Sequence, residues 1–276
     1  MKFDYTEINN INFTELLEIN LGFEVQSEKI EGLSYITIDN FFKNPHDIVE
    51  VLKKFPANDK SNFYENIKTT EAKYNRPPGI QQLFPNSYLE SLSFIVYKLM
   101  AEYDYVPYDI ETSGDYFMLG KQLSQFIYYS NCLYPNMKQF EYNYLPHFDQ
   151  SQFAFNIFLS EDVEGGTAFY KLKHENKYYS TIGDIMDETD YDLKLGLQNK
   201  LNAMNAHDEN SGVTNYDYFD DDDLFEKYHL IDYQFNRFCL YKGSFWHSIY
   251  YNSSTATNAR YSIAGAYTPI TEDQQR

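Results

Sequence analysis

From about residue 117 onward the chain is built of short apolar runs: "FMLGKQLSQFIYYSNCLY", "KQFEYNYLPHFD", "QFAFNIFLS" and "GGTAFYKLK". After a gap over 174–232 they resume as "FNRFCLYKG", "WHSIYYN" and "ARYSIAGAYTP". Runs this short, rich in Phe, Tyr and Ile and separated by turn residues, predict strands. Upstream the spacing differs. "LSYITIDNFF" (33–42) predicts a strand leading toward a helix. Asn44-Pro45 suits that helix start, with Asn as cap and Pro in the first turn, and Ile48, Val49, Val51 and Leu52 continue it. Ser87-x-x-Glu90 resembles a capping box, and Leu89, Leu92, Ile95, Val96, Leu99 and Met100 follow at helical spacing. They predict a long helix over one face of a sheet. A shorter helix is expected around 13–19, and "NRPPGIQQLFP" (75–85) reads as a loop.

These elements predict one domain over 1–276, mostly β with flanking helices. Residues 1–116 form a helical and strand support region, 117–270 the β core, and 174–232 an insert. The insert has helical patterning through Leu193, Leu197 and Leu201, then an acidic run from Asp217 to Asp223. Long connections inside a compact domain tend to be functional or disordered. The insert is therefore expected to act as a substrate lid. Its acidic run either attracts a cationic substrate or is a solvated turn.

Composition changes the picture in two ways. The net charge of −19, from 22 basic and 41 acidic residues, repels phosphate backbones and makes nucleic acid a poor partner. The two cysteines, Cys132 and Cys239, lie in apolar runs with neither zinc-knuckle nor redox spacing, so both are expected to be buried thiols. No segment reaches 18 uninterrupted apolar residues, and the first 20 residues lack the basic-then-apolar order of a signal peptide. The expectation is a soluble, cytoplasmic protein with no membrane partner. Oligomeric state is not legible.

The chemistry concentrates in "PHFD". Residues i and i+2 of a strand face the same way, so His147 and Asp149 are expected to project side by side. Two imidazoles and one carboxylate on one face of a metal make a mononuclear non-haem iron site with open positions. Of His46, His174, His207, His229 and His247, only His247 stands in a clear strand-like run. Arg260 follows thirteen residues later, beyond the turn-rich "NSSTATN". A hairpin there would set Arg260 beside His247, with Ser262 on the same face. A guanidinium with a hydroxyl partner suits a carboxylate, which it binds through paired hydrogen bonds. Gly165-Gly166 reads as a structural turn and Trp246 as packing.

His-x-Asp, a Gly-Gly-Thr strand, a distal His and then Arg-x-Ser resembles the 2-oxoglutarate- and iron(II)-dependent oxygenases. "PHFD", "GGTAFY", "FNRFCLYKGSFWHS" and "RYSI" look closest to a poorly characterised bacterial subgroup, a domain family of unknown function related to prolyl-hydroxylase-like enzymes. "YITIDNFFKNP" and "RPPGIQ" resemble that subgroup's leader, so the resemblance covers roughly 33–270. It implies a double-stranded β-helix, the jelly-roll barrel of cupins. It implies Fe(II) held by His147, Asp149 and His247. It implies 2-oxoglutarate gripped by Arg260 and Ser262, with Tyr128 or Tyr129 adding to the grip and Asn156 reaching the cosubstrate from the next strand. With O2, such a site hydroxylates an unactivated C–H bond of an amino acid, peptide or small natural product. Two other readings stand beside it. One is a non-catalytic cupin-like binding or structural protein whose metal site has decayed or taken zinc. The other is a metal-dependent hydrolase, which would not need Arg260.

Overall fold

The structure is a computed structural model describing residues 11–53, 80–83, 99, 124–133, 145–149, 153–173, 176–179, 223–251 and 257–269. Two helices are assigned there, α1 (Phe13–Leu16) and α2 (Pro45–Leu52). Ten strands form two antiparallel sheets: β1 (Val25–Ile30), β2 (Leu33–Ile38), β3 (Ile80–Leu83), β4 (Ser124–Leu133), β5 (Phe153–Phe158), β6 (Gly166–Leu172), β7 (Phe225–Asp232), β8 (Arg237–Lys242), β9 (His247–Tyr250) and β10 (Arg260–Pro269). The large sheet runs β1-β2-β8-β5-β10-β4-β3 and the small one β7-β6-β9. Among the described residues no helix is long and apolar enough to cross a membrane.

The large sheet is apolar on both faces, which is why its runs read as continuous rather than alternating. On one face Phe153, Phe155 and Ile157 of β5 and Phe238 and Leu240 of β8 pack with Leu17, Ile19, Ile48, Leu52 and Leu99. On the other, Ala154, Phe158, Cys239 and Tyr241 pack with Phe169 and Ile231 of the small sheet. Thus a helical layer, the large sheet and the small sheet stack in that order. Leu99 is helical and buried in the first cluster, where a covering helix was expected. The remainder of that helix, with Ser87 and Glu90, lies outside the described residues, as do His174, His207 and the side chain of Cys132. Cys239 is a buried free thiol.

Local chemistry sets several joints. Glu31 and Gly32 both have positive φ (48° and 83°), the turn a two-residue hairpin needs between β1 and β2. Asn44 precedes α2 but makes no side-chain cap bond, contrary to expectation; Pro45 alone marks the start. Gly165 and Gly166 answer to crowding as well as to turning. A Cβ on Gly165 would sit 1.9 Å from the Tyr250 carbonyl oxygen, and one on Gly166 would sit 2.0 Å from that of Ile231. The chain enters β6 through a slot between β7 and β9 that only glycine fits.

Three expectations change. The 174–232 insert is shorter than it reads, because β7 lies inside it and pairs along β6. Lys177 and Tyr179 also bridge back, to Leu172 and Phe245. The helical stretch and all of the acidic run except Asp223 lie outside the described residues. Residues 145–149 form a single bridge at His147 rather than a regular strand. Finally, His247 and Arg260 do not share a hairpin: β9 belongs to the small sheet, and β10 crosses to the large one between β5 and β4. The strands on either side of "NSSTATN" therefore lie in different sheets.

Asn236 is the buried joint between layers. At φ 59°, a conformation Asn tolerates, its side chain accepts from the Phe42 N–H at 2.9 Å and donates to the Phe42 carbonyl at 2.9 Å. Its own N–H donates to the Phe158 carbonyl at 2.7 Å, and its carbonyl accepts from Phe41 at 3.0 Å. Asn236→Ala orphans two buried backbone groups and strains the turn, and should cost about 2–4 kcal/mol in urea unfolding. Asn236→Gly, which keeps the turn but not the clamp, should fall between Ala and wild type. Wild-type stability in both variants would remove the clamp from this account.

Candidate metal centre

Two backbone bonds bring the distant halves of the site together. The His147 N–H donates to the His247 carbonyl at 2.9 Å, and the His247 N–H donates to the His147 carbonyl at 2.7 Å. The Asp149 N–H then donates to the Gly243 carbonyl at 2.8 Å. With the backbone so fixed, the rings of His147 and His247 lie 4.6 Å apart. One ligand atom from each of His147, Asp149 and His247 lies within 4.8 Å of the others. Asp149 Oδ2 is 3.5 Å from His247 Nε2. The structure therefore brings together the three ligands expected from sequence.

Each imidazole is oriented by a carbonyl two residues upstream. His147 Nδ1 is 2.9 Å from the Leu145 oxygen, and His247 Nδ1 is 2.8 Å from that of Phe245. A carbonyl only accepts, so each Nδ1 donates to it, which leaves Nε2 as the atom turned toward a metal, the usual arrangement behind a metal-binding histidine. Burial, reinforced by the neighbouring His247, lowers the His147 pKa to about 4 despite the opposing pull of Asp149. Burial would raise the Asp149 carboxyl, but its bond to His247 and the two imidazoles outweigh that and hold it below its ordinary value. At neutral pH the set is thus a neutral imidazole and a carboxylate ready to bind a divalent cation. Three protein ligands leave coordination positions open, as in catalytic rather than structural sites.

The interior beyond the triad is polar. Tyr241 of β8 stands edge-on to His247, with ring centroids 5.0 Å apart. Asn156 of β5 donates to the Tyr241 hydroxyl at 3.2 Å and to the Thr167 hydroxyl at 3.3 Å. Burial raises the Tyr241 phenol well above its usual range, so it stays protonated. Arg260 is 2% exposed and donates to the Gly166 carbonyl at 3.4 Å. Its guanidinium carbon lies 5.2 Å from the Tyr233 ring centroid and 5.6 Å from that of Phe158. Its Nε is buried without a partner, and no carboxylate pairs with it among the described residues. Ser262, also buried, follows two residues on along β10.

The remaining candidates separate clearly. His46 is exposed and 3.9 Å from Glu161. His229 packs against Tyr35 on β7. Arg237 is committed to Asp39 through a paired contact at 2.6 and 3.1 Å. Tyr128 and Tyr129 lie on β4; the register aligns Tyr129 with Ala264 and Asn156, and Tyr128 with Gly265 and Phe155. Tyr241, Thr167 and Tyr233 were missed. The alternation of "FCLYKG" with its neighbours marks Tyr241 as lying on one face with Cys239, but nothing in it distinguishes that face as the interior one.

The depressed His147 pKa has a consequence for stability. The unfolded imidazole takes up a proton near pH 6.5, whereas the folded one does so only near 4. Metal-free protein should lose stability as pH falls from about 6.5 to 4, on the order of 2–3 kcal/mol. The Asp149 contribution is lost only below its unfolded value of 3.8, outside this window. Subtracting a His147→Gln variant isolates the effect: the wild-type advantage should shrink with acid. A difference that stays constant from pH 7 to 4.5 would contradict it.

Comparison with known proteins gives a family but little more. Nothing among the curated proteins matches this chain. Among solved structures, a match is the crystal structure of a "Putative oxygenase" from Shewanella oneidensis, with 11% identity and a TM-score of 0.39, covering 94% of this chain and 86% of that one. A likeness so distant carries no argument about fold or activity. The family model described as "Family of unknown function (DUF6445)" matches residues 21–261, most of the sequence, and the chain belongs to that family.

Proposed function

We propose that this protein is a 2-oxoglutarate- and Fe(II)-dependent oxygenase on a double-stranded β-helix. The single observation that carries the reading is Arg260. A buried guanidinium whose Nε has no partner among the described residues, flanked by two aromatic rings, favours an incoming anion. A metal-dependent hydrolase or an inert barrel has no use for it. The course of the chain supports the fold. It alternates between sheets: β4 in the large, 145–149 against the small, β5 in the large, β6 and β7 in the small, then β8, β9 and β10 in turn.

In this reading His147, Asp149 and His247 hold the iron. Bound with 2-oxoglutarate, iron(II) supplies the capacity to use O2 for hydroxylating an unactivated C–H bond, with succinate and CO2 as coproducts. The chain's residues do the positioning. Arg260 pairs with the far carboxylate of the cosubstrate, with Ser262 beside it and Tyr129 favoured over Tyr128 by its alignment with Asn156. Phe158 and Tyr233 keep water from the guanidinium, which strengthens the ion pair. The Asp149 carboxylate fills the position a halide would need, which argues for hydroxylation over halogenation. The substrate class is an amino acid, peptide or small natural product. Most of the 174–232 insert, for which a lid role was expected, lies outside the described residues.

Fe(II) and then 2-oxoglutarate titrated anaerobically into metal-free protein should give a visible metal-to-cosubstrate absorption band. Incubation with Fe(II), ascorbate and 2-oxoglutarate against candidate amino acids and peptides should add one oxygen by mass. His147→Ala, Asp149→Ala and His247→Ala should each abolish turnover, and full activity in any two would sink the triad assignment. Arg260→Ala should raise the 2-oxoglutarate requirement by roughly two to four decades, the counterpart of ~3–5 kcal/mol, with iron affinity little changed. An unchanged requirement would exclude Arg260 as the anchor.

A further inference from the structure

β7 does not pair evenly with β6. The register shifts between Phe169, aligned with His229, and Tyr170, aligned with Lys227, so Tyr228 is one residue too many. Such a bulge re-aims side chains and is common beside functional sites. Here two consecutive residues turn inward. Tyr228 packs with the cluster between the sheets, and the His229 ring lies 5.0 Å from that of Tyr35 and 6.2 Å from that of Phe169. Tyr228 Oη and His229 Nε2 are both buried with no hydrogen-bond partner among the described residues. Buried polar atoms without partners are costly, and native interiors keep few of them.

The surroundings state the charge of the missing partner. Tyr35 Oη donates to Glu28 at 2.6 Å and Tyr178 Oη to Glu31 at 3.3 Å, so two exposed carboxylates are held at the rim. Glu31 keeps φ 48° in the β1–β2 turn, where Gly or Asn would be at ease. Lys171, whose charge is felt by Tyr178 and Glu31, is paired with Glu226 at 2.9 Å. The Tyr178 ring closes the side, edge-on to Tyr228 with centroids 4.9 Å apart. Burial lowers the His229 pKa against the pull of Glu28 and Asp232, so the ring is neutral at neutral pH. The carboxylates repel an anion. An ammonium ion instead donates to the hydroxyl oxygen and to an imidazole lone pair, and lies against the aromatic rings.

We propose that Tyr228 and His229, turned inward by the bulge in β7, bind the ammonium group of an amine, between the Tyr35 and Tyr178 rings and beneath Glu28 and Glu31. The site stands on its own residues; naming its occupant the substrate rests on the oxygenase reading. Phe169 aligns with His229 on one side and His247 on the other, so the two histidines share a face two strand spacings apart, roughly 10 Å. The ammonium group is thereby held away from the metal centre, and a different part of the same molecule reaches it.

Calorimetric titration of the full chain, metal-free and Zn(II)-loaded, tests this with Nα-acetyl-lysine methylamide and its norleucine counterpart, which lacks only the amine. The lysine probe should bind about tenfold tighter than the norleucine probe. Tyr228→Phe and His229→Phe keep an aromatic ring and remove the orphaned atoms. Each should cut lysine-probe affinity about tenfold and leave the norleucine probe unchanged, with Tm at or above wild type because no internal bond is lost. If both variants fail to fold, the exposed Glu31→Gln decides: about threefold weaker lysine-probe binding supports the site, and unchanged binding overturns it. Equal affinity for the two probes in the wild type, or a lysine preference that survives both Phe variants, also overturns it. Titration of 2-oxoglutarate into the Fe(II)-loaded protein under argon separates the two claims. Cosubstrate binding without a lysine preference overturns this inference alone, and a lysine preference without cosubstrate binding overturns the oxygenase reading and leaves the amine site.

Discussion

The reciprocal backbone bonds between His147 and His247 are the constraint on which the site depends. They join a short segment with no strand pairing beyond this bridge to the edge of the small sheet. Through them the two imidazoles are set side by side at a tilt of 48°, and Asp149, two residues on, is drawn into range of both. The carbonyls of Leu145 and Phe245 then fix the tautomers. Ring orientation is thus a property of the backbone, which is more rigid than a side-chain network would be.

The two faces of the large sheet divide the labour. The face toward the helical layer is packed with Phe, Leu and Ile and contains no polar side chain of the site. The opposite face carries Asn156, Tyr241, Arg260 and Ser262 among its apolar neighbours. Stability comes from the first, which allows the second to hold buried donors and a cation at a cost. Residues that cannot satisfy their own hydrogen bonds lower stability, and a fold tolerates them where a ligand completes them.

Glycine and asparagine supply the remaining geometry. Gly165 and Gly166 let β6 pass against the carbonyls of Tyr250 and Ile231, so that Thr167 and the Gly166 carbonyl face β5 and Arg260. Asn236 turns the chain into β8, the strand of Tyr241, while clamping the segment before α2. Each of these positions shapes the site without touching a metal or a cosubstrate.

The sequence by itself determined the β character of the body, the order of its runs and the three residues of the candidate metal site. Period-two patterning and the His-x-Asp spacing are local, and the distal histidine was the only one in a strand-like run. Arg260 stood out as a candidate carboxylate partner, but its place did not: the sequence reads as a hairpin with His247, whereas β9 and β10 lie in different sheets. Likewise "FEKYHLID" was hidden in the insert because its charged, half-exposed positions blur the strand pattern, and only pairing along β6 reveals β7. Tyr241 and Thr167 became visible last. Their contacts with Asn156 are facts of three strands meeting in space. A single strand's pattern tells which residues share a face; only the stacking of two sheets decides which face encloses the charge.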